Sequence, residues 1–301
     1  QFRNGTAGSD KVSDLKLQTI TYFQGLSGEE KTDYSQSYKA NGTEVRSTTI
    51  SFYKDASGNI IRAQAATVDD ALVRTDQYRY GTADSDKVSD LKLQTVTYFR
   101  GLSGEEKTDY SQSYKADGTT VRNTTISYYE AGVRAKDAGV DDALIRTEQF
   151  RYGTAGSDKT SDLKLQSMTY FKGLSGEEKT DYSQNYKADG TSVRNTTISY
   201  YKDAGGNIVR AASASVDDAL VRTEQFRNGT AGSDKVSDLK LQTMTYFKGL
   251  SGEEKTDYSQ SYKANGTDVR STTISFYKDA GGNIVRATAA SVDDALVRTD
   301  Q

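Results

Sequence analysis

The stretch LKLQTITYFQGLSGEEKTDYSQSYKANGT, Leu15 to Thr43, returns from Leu91, Leu163 and Leu239 with few substitutions. A chain written four times can only adopt folds that one unit can propagate. Equivalent glutamines at 1, 77, 149, 225 and 301 mark periods of 76, 72, 76 and 76 residues. The repeats are therefore residues 1–76, 77–148 (shortened), 149–224 and 225–301, the last including the first residue of a next period. With no initiator Met and no divergent capping unit, the chain reads as a window onto a longer array.

Hydrophobic residues make up 34% of the chain, with 21 Tyr, 9 Phe and no Trp, so only a thin core is available. Backbone ladders and repeated side-chain contacts must supply much of the stability. A net charge of −3, from 39 basic and 42 acidic residues, argues against nucleic acid or an anionic membrane as partner. Without His or Cys, imidazole bases, Ser-His-Asp triads, disulfides and zinc-thiolate sites are excluded. No apolar run approaches the roughly 20 residues of a spanning helix, and no signal peptide is visible.

Within a period, an aliphatic-basic pair is followed five and seven residues later by apolar side chains. Leu15-Lys16 leads to Ile20 and Tyr22, Val45-Arg46 to Ile50 and Phe52, Ile61-Arg62 to Ala66 and Val68, and Val73-Arg74 to Tyr78 and Tyr80. Thr, Ile, Val and Tyr at that spacing predict β-strands. A further strand, KTDYSQSYK, carries Tyr34, Gln36 and Tyr38 on one face. Five strands thus start near 15, 31, 45, 61 and 73. Leu17 and Ile20 differ in parity, as do Val45 and Ile50; that demands a bulge or a strand covered on both faces, and stacking favours the second. Asn41-Gly42 predicts a type I′ hairpin turn, GLSGEE (Gly25–Glu30) a wider loop and DASGN (Asp55–Asn59) another hairpin. The shortened repeat lacks four residues at that last tip, an even number that keeps the hairpin arms in phase. An odd strand number would invert successive repeats, and the link Gly5–Asp14 is long enough to restore direction. VDDAL, Val68–Leu72, holds one helical turn at most.

The expected fold is all-β: a tandem-repeat β-hairpin solenoid or stacked antiparallel β-meander, with four small β-sandwich beads as the alternative. A solenoid would place Tyr22, Tyr98, Tyr170 and Tyr246 in one ladder. The segment YKDAGGNIVRA, Tyr277–Ala287, resembles the tyrosine-glycine hairpins of RHS/YD-type repeat proteins, large secreted bacterial polypeptides. Lys278 interrupts their Tyr-Asp pair, and this period is longer than theirs. The resemblance implies an extracellular β-hairpin shell or stalk at a bacterial surface.

Candidate sites are few. Glu29-Glu30 and Asp69-Asp70 are adjacent acids of the kind a glycosidase pairs, but neighbours in a strand face apart and neighbours in a turn face water. No catalytic or cofactor-binding residue is assigned. Asp10, Asp14, Asp69 and Asp70 are the calcium candidates, on ligand type rather than spacing. Lys16, Arg46, Arg62 and Arg74 form either a basic stripe for an anionic polysaccharide or a set of ion pairs on a solvated edge. The tyrosines either stack on sugars or pack across strands. Asn-x-Thr sequons occur at Asn4, Asn41, Asn123, Asn195, Asn228 and Asn265. These features lead us to expect a non-catalytic, structural segment of a long extracellular fibre, stalk or adhesin shaft. Its partners would be neighbouring repeats and identical chains; the alternative is a multivalent glycan-binding module.

Overall fold

A computed structural model describes residues 1–3 and 15–301. Its regular structure is all-β, with three-residue 3-10 turns as the only helical elements among the described residues. The chain divides into two compact units. The first comprises Gln1–Ser127, Val133–Val140 and Phe150–Leu163; the second comprises Tyr128–Gly132, Asp141–Gln149 and Lys164–Gln301.

In the first unit, β1 (Phe2–Arg3) pairs with β2 (Lys16–Leu17). A meander follows: β3 (Thr19–Gln24), β4 (Lys31–Tyr38), β5 (Val45–Lys54), the short β6 (Ile60–Ile61), β7 (Ala71–Arg79), β8 (Lys92–Arg100), β9 (Lys107–Tyr114) and β10 (Val121–Tyr129). Antiparallel ladders join β3–β4, β4–β5, β5–β7, β7–β8, β8–β9 and β9–β10. After β11 (Leu144–Arg151), the second unit repeats the order. It runs through β12 (Lys164–Lys172), β13 (Lys179–Tyr186), β14 (Val193–Lys202), β15 (Ile208–Val209), β16 (Ala219–Arg227), β17 (Lys240–Lys248), β18 (Lys255–Tyr262), β19 (Val269–Lys278), β20 (Ile284–Arg286) and β21 (Ala295–Asp300).

The repeat boundary at Gln77 falls inside β7. The β7–β8 ladder crosses it without a break, from Arg74↔Tyr98 to Arg79↔Lys92. The β16–β17 ladder crosses the boundary at Gln225 in the same way, from Arg222↔Tyr246 to Arg227↔Lys240. Separate beads need a gap at these points, so the bead alternative fails within each unit.

Strand starts at 16, 31, 45, 60 and 71 match the expected set, but the fourth strand is only two residues long. After β6 the chain turns through Ala63–Ala65 and Thr67–Asp70 into β7. β7 takes one whole edge of β5, Ser47 to Lys54, which leaves β6 on the edge that β5 shares with β4. Each repeat thus contributes four long strands, an even number, and direction needs no restoring. The described links from Gly81, Gly153 and Gly229 are instead held by buried glutamines of the preceding repeat's strands; Gly5–Asp14 lies outside the described residues.

The parity changes come from bulges. Tyr38 pairs with Val45 and Ser37 with Ser47, so Arg46 is the extra residue; Gln94 is extra between Leu93 and Thr95. Each bulge returns the apolar residues to one face. Val45, Thr48 and Ile50 therefore lie together and are buried. The expectation of two covered faces is wrong. The opposite face is a polar row, Thr21–Ser35–Thr49–Gln77–Thr95–Ser113–Asn123, read directly across the ladders. One polar face and one apolar face explain how a chain this poor in apolar residues folds.

Three further expectations change. Tyr98 lies between Arg74 and Tyr110, not beside Tyr22, because β3 and β8 stand four strands apart. The Asn41-Gly42 hairpin is where it was expected, but only Gly42 has a positive φ, 76°. Its four-residue loop is closed by Gly42 N–H donating to Lys39 O, with Asn41 Oδ1 accepting from Thr43 and Glu44 N–H, so type I′ is not required. In the shortened repeat the hairpin does not survive in miniature. A 3-10 turn at Glu130–Gly132 replaces it, and no strand like β6 is described before β11.

Candidate functional site

The most heavily built feature is the covering of the apolar face by its own links. Gln36 projects from the middle of β4 and is fully buried, as are Gln112 and Gln184. The Gln36 amide nitrogen donates to Thr82 O at 2.9 Å and Ser85 O at 3.1 Å, and its carbonyl accepts from Asp84 N–H at 2.9 Å. Thr48, also fully buried, donates to Tyr80 O at 3.0 Å. Gln112 and Gln184 grip their own links with the same pattern. A strand side chain thereby supplies the hydrogen bonds that an irregular buried segment lacks.

A second clasp holds the turn after β6. Arg62 bridges Asp33 at 2.8 Å and Asp86 at 3.1 Å, and Arg134, Arg210 and Arg286 reach Asp109, Asp181 and Asp257 likewise. Ala63, Ala135, Ala211 and Ala287 are buried beside these arginines. Only a small side chain suits that position.

A third clasp joins consecutive repeats. Glu106 Oε1 accepts from Leu72 N–H, and Ser103 Oγ donates to Val68 O, both across the boundary at Gln77. Lys31 Nζ donates to Asp70 O at 2.7 Å and reaches Ser103 Oγ at 2.9 Å. In the second unit, Glu254, Ser251 and Lys179 make the corresponding bonds to Leu220, Val216 and Asp218. The GLSGEE loop, read from sequence as a plain turn, is thus a latch onto the preceding repeat.

The sequence candidates take structural places. The Glu30 carboxylate accepts from Gly28 N–H, and Glu106 from Gly104 N–H, each closing its own loop. Asp70 is buried and accepts from Thr67 N–H at 2.7 Å, while Asp69 is exposed beside it. They line a cleft of about 340 Å³ with Lys54, Asp55 and Arg100, a mixed-charge wall. No group of three acids is placed to hold a metal ion among the described residues. Asp10, Asp14 and Asn4 lie outside the described residues.

The basic residues do not form one stripe. Arg62 is committed to Asp33 and Asp86; Arg74 lies 4.2 Å above the Phe52 ring and 2.9 Å from Asp76, whereas Lys16 and Arg46 are exposed. Asp76 faces Ile50 and Val96, and burial raises its pKa against the opposing pull of Arg74.

The tyrosines pack on each other. Tyr22–Tyr34, Tyr98–Tyr110, Tyr170–Tyr182 and Tyr246–Tyr258 stack with centroids 4.2–4.4 Å apart. Tyr22 donates to the Asp84 carboxylate, which raises the phenol pKa, and burial pushes Tyr114 up to about 12. Turn carboxylates go the other way: Thr120 and neighbouring backbone N–H groups hold Asp117 down at about 2.

Sequence reasoning placed Tyr34, Gln36 and Tyr38 on one face but missed the clasp. The available signal was Asp-Tyr-Ser-Gln, identical in all four copies, as is the GLSGEE loop before it, where the hairpin tip that follows varies. No protein-family profile and no curated protein matches this chain.

Proposed function

We propose that the chain is a structural repeat segment of a long extracellular fibre, stalk or adhesin shaft. The observation that carries this reading is the continuity of ladders and latches through the boundaries at Gln77 and Gln225. Each repeat is completed by its neighbour, so length can be added without a new interface. The chain has no His or Cys, and one acid of each adjacent pair, Glu30 and Asp70, closes a turn. Work in such a protein is done by length and stiffness. The RHS/YD-like hairpin at Tyr277–Ala287 supports the extracellular placement. No helix is long and apolar enough to cross a membrane among the described residues.

Four strands per repeat would add about 19 Å along the hydrogen-bonding direction. Electron microscopy of this chain beside an eight-repeat concatemer should show particles of equal width, with the length doubled. Particles that stay isotropic while growing in every dimension would overturn the shaft. In a parallel glycan array no saturable ligand is expected. Tight binding that strengthens with repeat number would instead favour a multivalent glycan-binding module.

A further inference from the structure

The GLSGEE turns stand clear of the rest of the molecule. Leu26, Leu102, Leu174 and Leu250 are 73–75% exposed, and a Cβ added at Gly28, Gly104, Gly176 or Gly252 would meet nothing within 4 Å. In each turn the leucine carbonyl accepts from the N–H of the glutamate three residues on, at 2.9–3.0 Å, so an exposed acid (Glu29, Glu105, Glu177 or Glu253) shares the tip with the leucine. The second turn is held from behind. Glu106 accepts from Gly104 N–H at 3.0 Å and Leu72 N–H at 2.8 Å, and Ser103 Oγ donates to Val68 O at 2.7 Å. A lone exposed leucine needs no explanation, but a pre-ordered apolar and acidic tip on every repeat does.

The junction of the first two repeats opens a cleft of about 370 Å³. Ile60 and Val73 of the first repeat and Tyr98 and Phe99 of the second supply apolar walls, and the exposed Lys54 and Arg100 supply positive charge. No acid lines it among the described residues, although acids outnumber bases in the chain, 42 to 39. The second unit has the same cleft, of about 410 Å³, with Ile208, Val221, Phe247, Lys202 and Lys248 in the corresponding places. Asp257 also lines it, but Arg286 holds that carboxylate at 2.7 Å. The shortened repeat lacks such a cleft. It has lost the hairpin that carries Ile60, Glu130 stands where Lys54 does, and the hollow that remains sets Lys172 against Asp181 and Asp234.

We propose that the cleft receives the tip of a second copy of this chain. The leucine enters between Ile60, Val73 and Phe99, and the glutamate carboxylate meets Lys54 and Arg100. The tip is apolar and acidic where the cleft is apolar and basic, so polarity and charge match. Tip and cleft also lie side by side, with Leu102 only two residues from Arg100. Two copies meeting about a two-fold axis therefore each give a tip and receive one, and such a contact needs both halves on one surface. Side-by-side association would bundle the proposed shafts, and in that consequence alone it rests on the shaft reading.

Charge reversal in the full-length chain tests the docking. The tip variant carries Glu29→Lys, Glu105→Lys, Glu177→Lys and Glu253→Lys. The cleft variant carries Lys54→Glu, Arg100→Glu, Lys202→Glu and Lys248→Glu. A control of the same net charge as the cleft variant carries Lys16→Glu, Arg46→Glu, Lys92→Glu and Lys164→Glu. All of these side chains are exposed, and circular dichroism confirms that each protein is folded. Sedimentation equilibrium over a range of protein concentrations measures association.

The unaltered chain and the control should self-associate. The tip and cleft variants alone should do so about a hundredfold more weakly, because like charges then face each other. Mixing these two variants should restore the strength of the unaltered chain, since lysine tips meet acidic clefts and glutamate tips meet basic ones. The tip variant mixed with the control should stay weak, although the net charges are just as opposed. An unaltered chain that remains monomeric at millimolar concentration would overturn the second copy as occupant. Undiminished association of either variant, or a mixture of the two no stronger than the mixture with the control, would overturn the pairing of tip with cleft. None of these results changes the length of a single chain, so the shaft reading is judged separately.

Discussion

Replacing Gln112 with leucine should release the link that follows β11 and cost about 3 kcal/mol, because buried donors and acceptors left unpaired cost roughly 1–3 kcal/mol each. The leucine nearly matches glutamine in volume, so packing is largely preserved. What disappears is the partner of Thr154 O at 2.9 Å, Ser157 O at 3.0 Å and Gly156 N–H at 2.8 Å. The side chain is fully buried, and water cannot substitute without opening the link. Hydrogen exchange at Gly156 should accelerate by about two orders of magnitude, the equivalent of such a loss. Exchange around Gln184 in the second unit should be unchanged, as expected of a separate site. Unaltered protection at Gly156 would show that the glutamine is not what holds the link.

Gly153→Ala should be worse still. Gly153 has φ +146°, where an L side chain is strained, and an added Cβ would lie 2.2 Å from Thr124 Oγ1. Thr124 cannot retreat, being fully buried with its hydroxyl donated to Tyr152 O. Backbone strain and overpacking together should cost about 4 kcal/mol, at the upper end for a single substitution. Gly132→Ala is the control. Its φ is +74°, nothing lies within 4 Å of the added Cβ, and about 1 kcal/mol is expected. Urea unfolding of the three proteins measures the difference. Adding Thr124→Ala to Gly153→Ala should recover part of the loss, since the offending oxygen is gone. Equal stability of the two alanine variants would remove the close approach of link and strand from the account.

These positions show where sequence reading stops. Strands were legible because Thr, Tyr and β-branched residues alternate at period two over short runs, and five starts fall within two residues of their expected places. Gln36 was correctly placed between Tyr34 and Tyr38. Its task was not legible, because its partners lie 46 and 49 residues away on a link whose path has no local signature. The parity change between Val45 and Ile50 allows either a bulge or a strand covered on both faces, and the sequence favours the second; the structure has a bulge, at Arg46. One residue of slip is a non-local property, fixed only when β4 and β5 meet. The short β6 misled for a similar reason. Ile61-Arg62 has the pattern of the other strand starts, but Arg62 is drawn to Asp33 and Asp86, and Ala63 is buried where a larger side chain would not fit. Of the adjacent acids expected to face water, Glu29, Glu30 and Asp69 are exposed and Asp70 alone is buried; Glu30 and Asp70 also accept from backbone N–H groups, a local role that loop sequences commonly conceal.

The Asp33–Arg62–Asp86 clasp also explains why the shortened repeat tolerates its deletion. The four lost residues remove a two-residue strand and its turn. Arg134 still reaches Asp109 at 2.8 Å and Asp158 at 3.1 Å, so the turn remains pinned to the apolar face. The hairpin is the dispensable part of this segment, and the arginine is what anchors it.

The claim on which the account depends is that the sheet passes through repeat boundaries as it passes through repeats. Residue-resolved hydrogen exchange on the intact chain tests this without cutting it, because exchange reports the stability of each ladder where it stands. The boundary strands β7 and β8, and β16 and β17, should exchange as slowly as β4 and β5, which lie wholly inside one repeat. Fast exchange confined to Ala71–Arg79 and Lys92–Arg100, with β4 and β5 still protected, would mean that the repeats are independent beads and would contradict the account.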